Sequence, residues 1–243
     1  MKFWGLNDVK RLINHNQTQS HFVRNLLRAC NHIYGVGSYA HASLYNAGLI
    51  KRKRLPIPTI SVGNLSFGGT GKTPIVQHLA SLAAENGEKP LVLTRGYGDD
   101  EQHQLNARLS TKGVTIGIGS NRHVVGMRKM TGVDSPTIAI LDDGLQHWSL
   151  ERDIDIVVVN AYDHPRGLFR EPPKLGLQRA DMVIIHNSSS RERNKVRNEV
   201  KQMVQEGIPI VETIVELSNL YKHHGSANKN SNQTIVSSDE IMN

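Results

Sequence analysis

The sequence is poor in cysteine, and its first residues carry no apolar leader. Cys30 is the one cysteine among 243 residues, so a disulfide framework is excluded and a reducing compartment is favoured. The first twenty residues lack the apolar run of a secretory signal, but this pattern does not exclude an organelle transit peptide. Hydrophobic residues make up 38% of the chain and charged residues 21%, which excludes a mainly disordered protein.

Acidic residues are almost absent from the N-terminal part of the chain. Residues 1–54 contain nine Lys and Arg but one acid, Asp8, whereas the formal net charge of the whole chain is +7. The excess of positive charge is therefore confined to one end. This distribution predicts a local anionic contact, such as a membrane surface, and disfavours a nucleic-acid groove across the fold.

The stretch 29–50 has no charged residue at all. Its length would let a helix cross a bilayer, but its Asn, His and Gly residues make burial in lipid costly. Apolar residues recur there and just before it at helical spacing, which predicts an amphipathic helix: Phe22, Leu26, Ala29, Ile33 and Val36. With "KRKR" following, a membrane-surface segment and a helix packed on the domain are both open interpretations.

From Pro56 onward, short apolar runs alternate with helical runs. The predicted strands are 57–63, 90–94, 137–141, 155–159, 181–185 and 209–215. Helical patterns include "TPIVQHLASLAAENG" and "SRERNKVRNEVKQMVQEG", each closed by a glycine. This alternation predicts an α/β fold with a mostly parallel sheet and helices on both faces.

A glycine-rich loop follows the first predicted strand, in "VGNLSFGGTGKTP". The general phosphate-loop pattern is a glycine, four further residues and then Gly-Lys-Ser/Thr, and here Ser66 stands in place of the first glycine. The predicted cradle consists of Gly68, Gly69, Thr70, Gly71, Lys72 and Thr73. Its glycines let backbone N–H groups point at phosphates, Lys72 reaches the outer phosphates, and the Thr73 hydroxyl ligates Mg²⁺. Pro74 is predicted as the first helical residue.

A second predicted strand ends in two carboxylates, Asp142 and Asp143, in "AILDDGLQHW". Phosphate-loop proteins hold Mg²⁺ or its water from such a neighbouring strand end. The alternative is an ordinary polar turn, in which Asp-Gly is common. A GTP-dependent regulator is disfavoured because no guanine-reading Asn-Lys-x-Asp is present.

Several stretches together resemble one family, the tetraacyldisaccharide 4′-kinases of lipid A biosynthesis. They are "LPIPTISVGNLSFGGTGKTP", "LTRGYGDDE", "IGIGSNR", "AILDDGLQHWSLERDIDIVVVN", "REP" and "LQRADMVIIHN". In this family Ser or Thr commonly takes the place of the first loop glycine, so the loop is of the family's kind.

The resemblance implies ATP- and Mg²⁺-dependent transfer of the γ-phosphate to the 4′-hydroxyl of a tetraacyldisaccharide 1-phosphate, a glycolipid. It assigns Lys72 and Thr73 to the ATP phosphates and Mg²⁺, and Asp142 and Asp143 to the metal. It also implies a membrane-facing N-terminal helix. The location would be the cytoplasmic face of the inner membrane in a bacterium, or mitochondrial in a eukaryote.

The implied catalytic base lies in "GYGDDE". Asp100 with Glu101 corresponds best to the family's Gly-Asp-Glu, whose aspartate takes the proton of the attacking hydroxyl. Asp99 stands where a glycine is usual, which leaves the register open by one residue. The alternative for both aspartates is an N-cap of the following helical run.

Other residues in the matched stretches are candidate phosphate or substrate contacts: Arg95, Arg122, Gln146, His147, Arg170 and Glu171. The alternative role for each arginine is to form a structural ion pair. For His147, a packing or hydrogen-bonding role is favoured over that of a base.

Three domains are predicted: the basic segment 1–54, a P-loop kinase domain 55–217, and a polar, disordered tail 218–243. Relative to the family, the loop before "REP" is short, and the second α/β lobe with its Asp-His-His motif is predicted to be missing. The alternative to a kinase is therefore a catalytically inactive nucleotide-binding remnant that acts through a partner.

Overall fold

The computed structural model describes most of the chain from residue 36 onward. The described residues are 36–37, 39–66, 70–96, 109, 112–132, 134–161, 169–188, 192–214, 220–221 and 235–236. The predicted amphipathic helix lies largely outside these residues, although residues 39–46 at its end are helical. Within the described part of the chain, every helix is too short or too polar to cross a membrane.

A seven-stranded sheet forms the centre of the fold. Its strands are β1 Thr59–Asn64, β2 Pro90–Thr94, β3 Thr115–Ile118, β4 Ile138–Asp142, β5 Ile154–Asn160, β6 Met182–His186 and β7 Ile210–Thr213. Every neighbouring pair is parallel, in the order β3-β2-β4-β1-β5-β6-β7. The predicted parallel α/β sheet is confirmed. The sequence analysis missed β3, which has only four residues, one of them a glycine.

Helices cover both faces of the sheet, as predicted. They are α1 Lys72–Glu85, α2 Arg122–Lys129, α3 Pro173–Leu177 and α4 Arg193–Met203. Val76 and Ala80 of α1 pack with Val62, Ile140 and Val158 on one face. The remaining helices pack on the opposite face, where the alternate strand residues point.

The two faces explain why the strands are apolar throughout. Along β5, Ile156 and Val158 belong to the cluster under α1, whereas Val157 and Val159 belong to the cluster under α3 and α4. A strand covered on both sides has no solvent face, so its sequence shows a continuous apolar run instead of alternation.

The helix α1 starts earlier than predicted. Its first residue is Lys72 and its N-cap is Gly71, so Pro74 is the third helical residue and the assignment to the first position is wrong. Proline is tolerated there because the N–H groups of the first turn have no intrahelical partner.

The basic segment before β1 is paired with the loop that follows β4. Lys53 forms a parallel bridge with Leu150, with N–H···O distances of 2.8 Å to Ser149 and from Glu151. Arg54 adds ion pairs to Glu151 and Asp153. Residues 51–54 are therefore attached to the loop that carries the paired aspartates.

Little of the predicted disordered tail is described. Two short strands, β8 Leu220–Tyr221 and β9 Ile235–Val236, pair in antiparallel fashion there. The rest of 218–243 lies outside the described residues.

Candidate phosphate-binding site

The sheet order brings the predicted site residues to one edge. The strand β1 lies between β4 and β5, and the carboxyl ends of these parallel strands open on the same side. In open α/β sheets, ligands bind in the crevice beyond these carboxyl ends, where neighbouring connections leave in opposite directions. The glycine-rich loop leaves β1 at that place and runs into α1.

Among the described residues of the loop, Gly71 has a conformation that requires glycine. Its φ is 78°, and an added Cβ would lie 2.4 Å from Cδ2 of His186 at the end of β6. The His186 ring is in turn 3.0 Å from the Thr213 hydroxyl through Nδ1, and burial lowers the pKa of His186. A neutral imidazole therefore packs directly against the loop. Gly68 and Gly69 lie outside the described residues.

The side chain of Lys72 lies near Thr70 of the loop and Asp143 after β4. Its Nζ is 3.6 Å from Oδ1 of Asp143 and 3.5 Å from Oγ1 of Thr70. Burial lowers the pKa of Lys72, while the neighbouring Asp143 carboxylate opposes that shift. These distances are long for hydrogen bonds, so the ammonium is positioned near its partners without being locked to them.

Asp143 is the point where the cationic side chains meet. Both of its carboxylate oxygens accept from Arg170 at 2.7 Å. Burial alone would raise the pKa of Asp143, but Lys72, Arg170 and Arg122 outweigh it and hold that pKa below its usual value. Its φ of 55° is left-handed, which aspartate tolerates better than most residues. We call Thr70, Lys72, Asp143 and Arg170 the loop-facing cluster.

The residues present fit a magnesium site of the usual phosphate-loop kind. Thr73 lies in the first turn of α1, and Asp142 ends β4 beside Val62 of β1. A hydroxyl and two carboxylates are the oxygen donors that Mg²⁺ prefers, with substrate phosphates completing its shell. The described residues contain no cluster of three or more His, Cys, Asp or Glu that would hold a metal without a ligand.

Arg122 lies in this region, where its guanidinium group donates to backbone carbonyl oxygens. It is 3% exposed and donates to the carbonyl oxygens of Asp142, at 2.9 Å, and Asp143, at 3.4 Å. These bonds hold the turn that presents the two carboxylates. A contact between Arg122 and phosphate stays a prediction.

Gln146 and Glu171 belong to a second group of hydrogen-bonded side chains, next to the end of β1. Gln146 Nε2 donates to Oε1 of Glu171 and to the carbonyl of Asn64, each at 2.9 Å. Arg179 donates to both carboxylate oxygens of Glu171, at 2.7 and 3.2 Å. We call Asn64, Gln146, Glu171 and Arg179 the buried network. The sequence analysis missed Asn64 and Arg179, although both lie in the matched stretches.

His147 lies beside these groups as a neutral imidazole. Burial, followed by the charges of Arg122, Arg152 and Arg95, lowers its pKa to about 4. Its Nε2 is 3.3 Å from the Ser149 hydroxyl. The favoured packing role therefore has a physical basis, since a group with this pKa is uncharged near neutral pH.

The remaining predicted residues are Arg95 and Asp100. Arg95 follows β2 and is exposed. Asp100, the predicted base, lies outside the described residues. The structure thus brings together Lys72, Asp143 and Arg170, while the position of the base relative to them stays a prediction.

The parallel sheet, the loop after its central strand and the carboxylates on the adjoining strand define a P-loop-type α/β protein. The family model described as Tetraacyldisaccharide-1-P 4′-kinase matches residues 23–111 and 100–238. The chain belongs to this family.

Relatives and a solved structure agree with that assignment. The chain is 37% identical over 219 residues to a probable mitochondrial tetraacyldisaccharide 4′-kinase of Arabidopsis thaliana, covering 76% of this chain and 55% of the relative. It is 37% identical over 200 residues to the tetraacyldisaccharide 4′-kinase of Syntrophus aciditrophicus, covering 69% and 53%. The chain spans about half the length of these curated relatives.

The fold is also similar to LpxK from Aquifex aeolicus, solved in complex with ATP. The TM-score is 0.62 at 23% identity, and the match covers 79% of this chain and 82% of that one. At this identity the similarity establishes the fold alone.

Proposed function

We propose that this protein phosphorylates the 4′-hydroxyl of a tetraacyldisaccharide 1-phosphate, with ATP as the phosphoryl donor and Mg²⁺ as the metal. The observation that carries the proposal is the loop-facing cluster, in which two cations meet one carboxylate beside the phosphate loop. The relatives named as tetraacyldisaccharide 4′-kinases support the choice of substrate.

The cluster suits phosphoryl transfer because its cationic side chains can exchange the Asp143 carboxylate for phosphate oxygens. Transfer depends on positioning and on stabilising charge that spreads over the moving phosphoryl oxygens. Lys72 and Arg170 both contact Asp143, and both can turn toward phosphate oxygens while Asp143 turns toward the metal. The residues that would hold Mg²⁺ are Thr73, Asp142 and Asp143, and the metal would neutralise phosphate charge.

The 4′-oxygen forms a bond to the γ-phosphorus as the bond to the bridging oxygen of ADP breaks. Asp100 accepts the proton of the 4′-hydroxyl. A carboxylate in that position is the expected general base for a weakly acidic sugar hydroxyl.

The N-terminal segment would hold the protein at the membrane that contains the lipid substrate. Val36 and Leu49 are 71% and 74% exposed, and the basic residues 51–54 follow directly. Exposed apolar groups next to basic ones are typical of a surface that contacts anionic lipid. In a bacterium this membrane would be the inner membrane, at its cytoplasmic face, and in a eukaryote a mitochondrial one.

A direct assay tests the proposal. The full chain in detergent is incubated with ATP, Mg²⁺ and the tetraacyldisaccharide 1-phosphate, and the 4′-phosphorylated product is measured by mass spectrometry. We expect product from the wild-type chain and none from Asp100→Ala, which should keep its ATP-dependent thermal stabilisation. Retained ATP binding without product from the wild type would contradict the kinase and support a non-catalytic nucleotide-binding protein.

A further inference from the structure

We propose that Arg179 is a positioning residue for the transfer reaction, a role that rests on the proposed function. It fixes the carboxylate of Glu171 and, through it, the start of the phosphate loop and the backbone of Arg170. Trp148 is the platform that holds the guanidinium in place.

The contacts of Arg179 show how tightly Glu171 is held. The guanidinium makes a forked pair with the carboxylate at 2.7 and 3.2 Å, and its NH2 also donates to the carbonyl of Leu145 at 3.0 Å. The Glu171 side chain is only 2% exposed. Leu145 lies two residues after Asp143, so one side chain joins the segment that begins α3 to the loop that carries the paired aspartates.

An aromatic ring fixes the plane of the guanidinium. The Arg179 Cζ lies 4.0 Å from the centroid of the Trp148 ring, which is 5% exposed. The Arg52 Cζ lies 5.6 Å from the same ring, and the Tyr45 ring is stacked on it at 6.4 Å. A planar guanidinium can stack on an indole and form a fork with a carboxylate at once, whereas an ammonium cannot.

The carboxylate held in this way supports the start of the phosphate loop. Glu171 accepts from Gln146, which also donates to the carbonyl of Asn64, the last residue of β1. The Asn64 amide then donates to the carbonyl of Ser66 at 2.7 Å. The network therefore fixes the backbone just before the glycines of the loop.

The backbone just before Glu171 is paired with the start of the loop. Phe169 forms an antiparallel bridge with Ser66, and the N–H of Arg170 donates to the carbonyl of Leu65 at 2.6 Å. Arg170 is the partner of Asp143 in the loop-facing cluster. A displaced Glu171 would shift both the start of the loop and this arginine, and small displacements in such supporting groups are costly for catalysis.

The test compares Arg179→Lys with the wild type in two measurements. The first is the Kd of a non-hydrolysable ATP analogue with Mg²⁺, measured by calorimetry at a temperature where both proteins are folded. The second is kcat for phosphorylation. We expect a Kd about 10-fold weaker and a kcat about 10- to 100-fold lower, since these are typical losses for an outer supporting residue.

Matched variants separate positioning from simple loss of stability. Arg197→Lys is the control, because Arg197 forms an arginine–carboxylate pair with Glu212 between α4 and β7, outside the loop-facing cluster and the buried network. Whatever stability this variant loses, its Kd and kcat should be unchanged. In a Glu171→Gln background, Arg179→Lys should change Kd less than about twofold, because its effect passes through Glu171.

Trp148 gives a second variant if Arg179→Lys does not fold. Trp148→Leu should weaken analogue binding, and Trp148→Phe should restore most of it. The inference is overturned if neither Arg179→Lys nor Trp148→Leu alters Kd per folded molecule, or if the effects of Arg179→Lys and Glu171→Gln on Kd simply add. A wild type that binds the analogue but makes no product would refute the proposed function, while the Kd comparison still decides the role of Arg179.

Discussion

Two groups of charged side chains flank the phosphate loop, and they are built in different ways. In the loop-facing cluster, the Asp143 side chain is 24% exposed and one of its two cationic partners is 3.6 Å away. In the buried network, the Glu171 side chain is 2% exposed, and Arg179 and Gln146 both hold it within 3.2 Å. The first group keeps partial access to solvent and includes one long contact, whereas the second group is almost completely buried and its contacts are short.

This difference indicates that arginine–carboxylate pairs have two roles in this protein, one in ligand binding and one in structural support. A pair with partial access to water can exchange a partner for a ligand at a smaller cost than a fully buried pair. A buried pair is costly to break, because the remaining charge is left without compensation in a poorly solvated place. We therefore expect the loop-facing cluster to govern nucleotide binding and turnover, and the buried network to govern stability and positioning.

The largest effect is expected from removing the ammonium of the loop-facing cluster. With ATP at about 1,000 times its Kd, the wild type should gain about 4.1 kcal/mol of stability from binding. Lys72→Ala should abolish this gain, because the outer phosphates lose their cation. Thermal denaturation with and without Mg²⁺ and ATP measures it, and an ATP-dependent shift in Lys72→Ala equal to that of the wild type would contradict the assignment.

A crossed pair of variants tests the comparison itself. Glu171→Gln should lower the free energy of unfolding by about 3 kcal/mol, because Arg179 remains buried without its charged partner. Asp143→Asn should lower that free energy by less than Glu171→Gln does, because the Asp143 side chain is 24% exposed against 2% for Glu171, yet it should lower kinase activity more than its stability change explains. Urea unfolding of the nucleotide-free proteins gives both values, and equal losses of stability would remove the distinction.

A smaller effect is expected where the loop meets β6. Gly71→Ala should destabilise the protein by about 1–3 kcal/mol, because a residue with a side chain is strained at positive φ and its Cβ would meet the His186 ring. Gly87→Ala is the control, since Gly87 also has a positive φ but has nothing within 4 Å of an added Cβ. If the two variants unfold at the same urea concentration, the contact with His186 contributes nothing.

The smallest effect is expected from His147, which follows Gln146 of the buried network in the sequence. Its pKa is about 4 in the folded protein, against 6.5 for an ordinary histidine. Between these values the unfolded chain binds more protons, so the free energy of unfolding should fall as the pH drops from 6.5 toward 4. Urea unfolding at several pH values should show a shallower fall for His147→Gln than for the wild type, and identical profiles would contradict the lowered pKa.

The sequence predicts the strands well where burial on both faces leaves a long apolar run. The observed β2 Pro90–Thr94 has the predicted bounds, and β4 and β6 differ by one residue at each end. It fails for β3, because four residues that include Gly117 give too little pattern. The early start of α1 was missed because proline favours the first helical position without requiring it.

The candidate site was predicted less completely than the fold. Lys72, Asp143 and Arg170 were named from motifs, and the structure brings them into contact. Arg179 escaped notice because its partners Glu171 and Leu145 are 8 and 34 residues away along the chain. Contacts between residues this far apart leave no periodic pattern in the local sequence, so no motif predicts them.

The sequence by itself determined the class of fold and the place of the phosphate loop. Both follow from local rules, since apolar runs form strands and a glycine-rich turn with Lys72 before a helix presents N–H groups to phosphate. Only the tertiary structure decided which charged side chains keep access to solvent and which are buried with their partners. Exposure and pairing depend on how β1, β4 and the segment before α3 meet, and that meeting joins residues far apart in the chain.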